Sequence, residues 1–202
     1  MRSLAARALL VLVLGACARD PLPWACPDLA PGDLVVNEIR PGQADASGQW
    51  IEIYNASGAD IALAGAEIQI LKIDGSKTVP LLIRDHAVHV AAGDYFVIGL
   101  MPTDTQPAFV GYSAYQDYKS EAGSEALFPS AAITIYGCGT GDGGARVLVD
   151  RMTYAALPAS GTLALDGAAA PDATTNDSAA AWCTPVTTPP AGTPGEANPT
   201  CP

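Results

Sequence analysis

Apolar and polar residues alternate with a period of two along most of this chain, in runs too short for helices. In Gln49-Trp50-Ile51-Glu52-Ile53-Tyr54-Asn55, extended backbone puts Ile51 and Ile53 on one face and Trp50, Glu52 and Tyr54 on the other. Similar runs occupy residues 34–39, 60–63, 66–73, 79–83, 87–90, 95–98, 131–136, 146–154 and 161–165. Turn formers separate them: Pro41-Gly42, Ser57-Gly58, Asp74-Gly75, Ala92-Gly93-Asp94 and the Gly-rich stretch 137–144. No window carries a 3.6-residue period with caps. Short strands at regular spacing predict an all-β domain, a sandwich or a barrel. Two stretches stand apart. Residues 101–129 hold Tyr112, Tyr115 and Tyr118 at three-residue spacing, which suits an ordered loop or a helical turn. Residues 168–202 are rich in Ala, Pro and Thr, but Trp182 and two cysteines predict that this tail folds back onto the domain.

The N-terminus follows another pattern. Arg2 and Arg7 precede an apolar run at residues 8–15, the layout of a secretory signal peptide. The run falls well short of the ~20 apolar residues of a spanning helix. It ends in Leu14-Gly15-Ala16-Cys17, which resembles the lipobox of bacterial lipoproteins. That resemblance implies cleavage before Cys17 and a diacylglycerol on its thiol. Residues 1–16 are then the signal peptide, 17–32 a lipidated Pro-rich tether (Pro21, Pro23, Pro27, Pro31) and 33–202 the domain. Two or more acyl chains, at ~0.8 kcal/mol per buried methylene, make a stable membrane anchor. Ala18, rather than Asp, follows Cys17, which by the same resemblance favours the outer membrane of the cell envelope.

Charge narrows the partners. The chain has a net charge of −11, and loss of Arg2 and Arg7 with the signal makes the mature part more acidic. Nucleic-acid binding depends on Lys and Arg neutralising phosphates, so DNA and RNA are excluded as expected partners, and anionic headgroups are disfavoured. A protein or glycan partner in the envelope, or soluble cations, fit better. With Cys17 set aside, Cys26, Cys138, Cys183 and Cys201 are an even number in an exported chain, so two disulfides are expected. Three pairings exist. Cys183 and Cys201 share the irregular tail and are expected to pair, leaving Cys26 with Cys138. No C-x₂-C pair supports zinc.

Several segments, in order, resemble the lamin-tail domain family. They are Leu34-Val35-Val36-Asn37-Glu38-Ile39, the 49–55 run quoted above, Ile61-Ala62-Leu63-Ala64-Gly65, Ala91-Ala92-Gly93-Asp94-Tyr95-Phe96-Val97-Ile98, Val149-Asp150-Arg151-Met152-Thr153-Tyr154 and Thr193-Pro194-Gly195-Glu196-Ala197-Asn198. Gln49 stands where the family has an acidic residue, Ala64 and Ala66 replace a Ser and a Trp, and the insertion at 101–129 is long. The resemblance implies an immunoglobulin-like β-sandwich, to which the expected Cys183–Cys201 pairing adds a disulfide-stapled irregular C-terminal tail. It also implies an interaction or anchoring module rather than an enzyme, with no cofactor.

Site chemistry in the sequence is thin. His86 and His89, three apart, fall on opposite faces of a strand, a poor metal pair. No G-x-S-x-G elbow is present, and Ser124 reads as a loop serine. Glu38 and Glu52 on neighbouring strands could form a glycosidase-like carboxylate pair, although the motif context favours bonding to loop backbone. Oxygen ligands for calcium occur in Gly139-Thr140-Gly141-Asp142-Gly143-Gly144 and at Asp166, Asp172, Asn176 and Asp177, neither matching an EF-hand. Phe109, Tyr112, Tyr115 and Tyr118 could line a binding platform or form the loop's own core. The expectation is a non-catalytic envelope module without a catalytic or metal site; an exported hydrolase or a calcium-dependent binder is the alternative.

Overall fold

A computed structural model describes residues 26–115, 127–138, 145–186 and 192–202. They form an all-β sandwich. Its strands are β1 (Leu34–Arg40), β2 (Trp50–Asn55), β3 (Ile61–Ala62), β4 (Glu67–Lys72), β5 (Thr78–Leu82), β6 (His89–Val90), β7 (Tyr95–Gly99), β8 (Tyr112–Ser113), β9 (Ala131–Cys138), β10 (Arg146–Tyr154), β11 (Leu163–Leu165) and β12 (Trp182–Cys183). One sheet has six strands in the order β12-β11-β1-β2-β7-β8; the other has four, β10-β9-β4-β5. β3 and β6 form a small ribbon of their own. All pairings are antiparallel except β7 with β8.

The period-two pattern accounts for the core. Ile39, Ile51, Ile53 and Ile98 of the larger sheet share one cluster with Ile68, Ile70, Leu81, Ile133, Ile135 and Met152 of the smaller. Burial of such side chains, at ~25 cal/mol per Å² of apolar surface, is the main force joining the layers.

The faces turned away from this core differ. On the larger sheet, Glu38 pairs with Glu52 and Arg40 with Trp50. Alternation leads one to expect that row at the surface. All four are instead buried. The loop after β7 lays Met101 and Val110 over Trp50 and Val97. Phe109 meets the Trp50 ring edge-on at 6.1 Å. The C-terminal tail covers the two glutamates. The smaller sheet keeps an open outer face, with Leu148 45% exposed.

Disulfides join Cys26 to Cys138 and Cys183 to Cys201, with Cα–Cα distances of 5.6 and 5.8 Å. Cys183 belongs to β12, so the second bridge fastens the tail to the edge of the larger sheet. The first bridge sits beside a feature that Pro spacing concealed. Residues 26–32, expected in the tether, are packed: Leu29 is 3% exposed, Leu29 N donates to Cys138 O, Cys138 N to Pro27 O and Gly32 N to Val149 O. Prolines remove amide donors but leave carbonyls and neighbouring amides to pair, so a Pro-rich stretch can still lie along a sheet. Residues 17–25 of the expected tether, the lipidation residue Cys17 among them, lie outside the described residues.

Candidate functional site

The densest polar cluster lies on the outer face of the larger sheet. β1 and β2 bring Glu38 and Glu52 directly opposite one another, because a bulge between Val36 and Glu38 resets their register. Tail backbone then closes over the pair. Thr193 N donates to Glu38 Oε2 at 3.1 Å and Gly195 N to Glu52 Oε2 at 2.5 Å. Asn37 Nδ2 donates to Glu52 Oε1 at 2.8 Å, and the Thr162 hydroxyl to Glu38 Oε1. Gly192 has a φ of +86°, and a Cβ there would lie 2.6 Å from Glu38 Oε1, so backbone geometry and close approach both require glycine.

Asn198 completes the closure. Its Nδ2 donates to Asn37 O, Asn37 Oδ1 and Leu165 O at 2.9–3.0 Å, and its Oδ1 accepts from the Thr193 hydroxyl at 2.9 Å. The side chain ties β1 to β11 at Asn37 and Leu165, beside the Glu38–Ala164 pair of the two strands. Asn55 does similar work nearby, with Nδ2 donating to Ala59 O, Val90 O and Ala91 O. Replacing Asn198 with Ala strands the Leu165 and Asn37 carbonyls. A loss of about 2–4 kcal/mol in urea unfolding is expected; a loss below about 1 kcal/mol would show the clasp to be incidental.

Electrostatics match this enclosure. Burial drives the Glu52 carboxyl up to about 8, against the Gly195 and Asn37 hydrogen bonds that favour its charged form, and the Glu38 charge raises it further. Burial also raises Glu38, opposed by hydrogen bonds from Thr162 and Thr193 and by the Arg40 charge. Arg40 is itself occupied, with Asp45 Oδ2 at 2.5 Å and Gln43 Oε1 at 3.1 Å. Both glutamates are 0% exposed. The pair is thus a sealed clasp for the tail, bonded to loop amides, and has no open face for a substrate.

The other candidates do not assemble. His86 lies in an exposed loop, and His89, exposed on β6, places Nδ1 2.9 Å from Asp60 Oδ1. Among the described residues no three His, Cys, Asp or Glu side chains converge on a metal position. Asp166 Oδ1 accepts from Ala168 N and Cys201 N, and Asp172 Oδ1 from Thr174 N and Thr175 N, as turn carboxylates do. Gly139–Gly144, Tyr118 and Ser124 lie outside the described residues. Tyr112 and Tyr115 pack against the core, and the Tyr112 hydroxyl donates to Leu82 O, so with Phe109 they form internal packing and no open platform.

A cleft of about 450 Å³ opens where β5, β4 and β9 end, lined by Pro80, Leu82, Tyr136, Glu67, Arg146 and the Cys26–Cys138 bridge. Arg146 pairs with Glu67 at 2.9 Å and stacks 3.6 Å from the Tyr136 ring centre. Both cysteines of the lining are bridged, and Glu67 has a cationic partner, so these side chains offer no ready nucleophile or proton shuttle. No helix among the described residues is long and apolar enough to cross a membrane. No protein-family model matches the chain, and no curated protein matches it.

The sequence missed Thr162, Thr193, Gly192 and Arg40 as parts of the clasp. A polar residue predicted to alternate outward looks the same whether water or a distant segment covers it.

Proposed function

We propose that this chain is a lamin-tail-like lipoprotein: a non-catalytic module held at the cell envelope by lipid on Cys17, with an interaction or structural role outside the cytoplasm. The observation that carries this reading is the sealed carboxylate clasp. The best acid–base pair in the sequence is buried under the protein's own tail and bonded to backbone amides. Two further points support it. The lipobox resemblance at Leu14-Gly15-Ala16-Cys17 supplies the anchor and the outer-membrane location. The segments that resemble lamin-tail domains supply Asn37, Glu38, Glu52, Asn55 and Asn198, residues that bond to one another or to nearby backbone, so the resemblance falls on structural residues of the fold. An open outer face on the smaller sheet leaves surface for an envelope protein or glycan.

The test begins with the lipid. In bacterial cells given a labelled fatty acid, the full-length chain is expected to take up label and sediment with membranes, whereas Cys17→Ser loses the label and becomes soluble. An unlabelled wild-type protein would remove the anchor from the proposal. Hydrolysis of a glycoside or ester that disappears in Glu52→Gln would overturn the non-catalytic reading.

A further inference from the structure

Positive charge at the surface of this acidic domain is gathered on one side. Arg40, in the larger sheet, is buried. The other cations among the described residues are Lys72, Lys77, Arg84, Arg146 and Arg151. All five lie in strands of the smaller sheet or within two residues of them, and none is buried. Around the larger sheet the exposed charges run the other way, with Asp45, Asp60, Asp94, Asp104 and Glu196 on its loops and tail. On the smaller sheet the acids are partly withdrawn: Asp150 is 3% exposed and accepts from Val36 N at 2.7 Å, and Asp74 is paired with Lys72 at 2.9 Å. A carboxylate approaching the domain is therefore repelled least on this side.

The 450 Å³ cleft where β5, β4 and β9 end is where these cations meet apolar surface. Arg84 and Arg146 line it against a single acid, Glu67. Glu67 is already engaged: its Oε1 accepts from Gln69 Nε2 at 2.8 Å and lies 2.9 Å from Arg146 Nη2. That contact and the stack on Tyr136 hold the Arg146 guanidinium in place, yet its side chain stays 45% exposed. A guanidinium carries five N–H donors in a fixed plane, so a pre-positioned Arg146 has capacity for a second carboxylate. Pro80, Leu82 and the Cys26–Cys138 bridge supply the apolar lining, and the bridge fixes its wall covalently. Two cations beside an apolar wall match a ligand that carries a carboxylate next to an apolar side chain.

We propose that this cleft is the binding site of the module described above, and that its occupant is an acidic peptide segment: an apolar side chain seated against Pro80, Leu82 and the bridge, with a neighbouring carboxylate on Arg146 and Arg84. The assignment rests on the non-catalytic reading and gives it a site and a ligand class. The lining argues against a glycan. Tyr136 is its one aromatic ring, and Arg146 takes a face on which a sugar would stack, 3.6 Å from the ring centre. Size argues against a second copy of the chain, because a stable dimer buries about 800 Å² on each partner, far more than one cleft supplies. Pro80 removes an amide donor from the edge strand β5, which disfavours addition of a further strand there. Recognition therefore falls to side chains in the cleft and not to extension of the sheet.

The test is fluorescence anisotropy with the oxidised full-length protein and a fluorescein-labelled peptide of alternating Leu and Glu. Binding is expected to saturate below about 1 mM peptide. Raising salt from about 25 to 200 mM should weaken it several-fold. Exchanging Glu for Gln in the probe, or Leu for Ser, should weaken it about tenfold or more. Arg146→Gln should do the same, as should Pro80→Glu, an exposed change that sets a carboxylate at the cleft. Lys72→Gln removes an equal charge at the far end of β4 and should shift Kd by less than about twofold. No saturation by the Leu-Glu peptide overturns the proposal; if oligogalacturonate then binds in an Arg146-dependent way, the cleft takes an acidic glycan instead. Equal losses in Arg146→Gln and Lys72→Gln overturn it too, by showing general attraction to the basic side. None of these results bears on the label at Cys17 or on hydrolysis lost in Glu52→Gln, so failure of this site and failure of the module reading are told apart.

Discussion

Lowering the pH from 8 to 5 is expected to stabilise the folded domain, against the usual behaviour of paired surface carboxylates. Glu52 has an ordinary value of 4.5 and is raised to about 8 in the fold. The folded state therefore binds a proton that the unfolded chain does not, throughout the window between those values. Stability is lowest above pH 8, where the buried carboxyl must be charged. It rises as pH falls through 8 and levels off below 4.5. Glu38, raised by burial and facing Glu52, titrates with it as a pair and acts in the same direction. Asp150, raised from 3.8 to about 6, adds to the gain at the acid end of the window. The sum between pH 8 and 5 is on the order of a few kcal/mol, a rise in Tm of about 5–10 °C for a domain of this size. Glu52→Gln keeps an oxygen for the Gly195 amide without the charge, so its Tm should be much flatter between pH 8 and 6. Thermal unfolding across this range decides the matter. A wild-type Tm that is flat or falls toward pH 5 would mean that the glutamates hold their charge within the clasp. Exposed Asp74 and Asp172, lowered by their Ser76 and by their Thr174 and Thr175 hydrogen bonds respectively, oppose the trend only in strong acid.

The second large effect concerns the Cys26–Cys138 bridge. It spans 112 residues and closes the chain around β1 through most of β9. Chain-entropy reasoning assigns a loop of that length about 4–5 kcal/mol, and removal of native bridges commonly costs about 2–5 kcal/mol. Cys26→Ala with Cys138→Ala should therefore lower unfolding stability by about 3–5 kcal/mol and loosen residues 27–32 from β9 and β10. The Cys183–Cys201 bridge spans 18 residues, and its loss should cost less, about 3 kcal/mol by the same reasoning. Urea unfolding of the two double variants gives the order directly. If losing the short loop proves costlier, tail anchoring outweighs loop entropy here.

Legibility in the sequence followed the range of the interactions. Strand positions came through where local alternation sets them: Ile51 and Ile53 face the core, and β4, β5, β9 and β10 fall on their predicted runs. The cysteine pairing was legible because two of the four share a tail. What covers the outer face was hidden. Trp50 and Glu52 occupy polar-side positions, and nothing within a local window tells whether Met101 or Gly195 will reach them. The Glu52–Gly195 bond crosses 143 positions. Asp150 was hidden for another reason: the bulge at Leu148/Asp150 breaks the period of two, so alternation along the 146–154 run does not assign its face. Leu29 was lost among prolines. Within the candidate site, Glu38 and Glu52 could be named as a pair, but their role as a clasp rests on residues of an Ala-, Pro- and Thr-rich tail that carries no strand pattern.

The tail's place in the sheet also has a consequence for the order of events during synthesis. β1 lies in the interior of the larger sheet, yet its neighbour β11 begins at Leu163, and the Asn198 bond to Asn37 crosses 161 positions. Half-made chains hold β1 and β2 without the segment that neutralises Glu38 and Glu52 as hydrogen-bond acceptors. Such topology delays folding until nearly all of the chain is present. An emerging polypeptide would stay open and threadable for as long as its last few dozen residues were still to come, which is the state that the export proposed above would require.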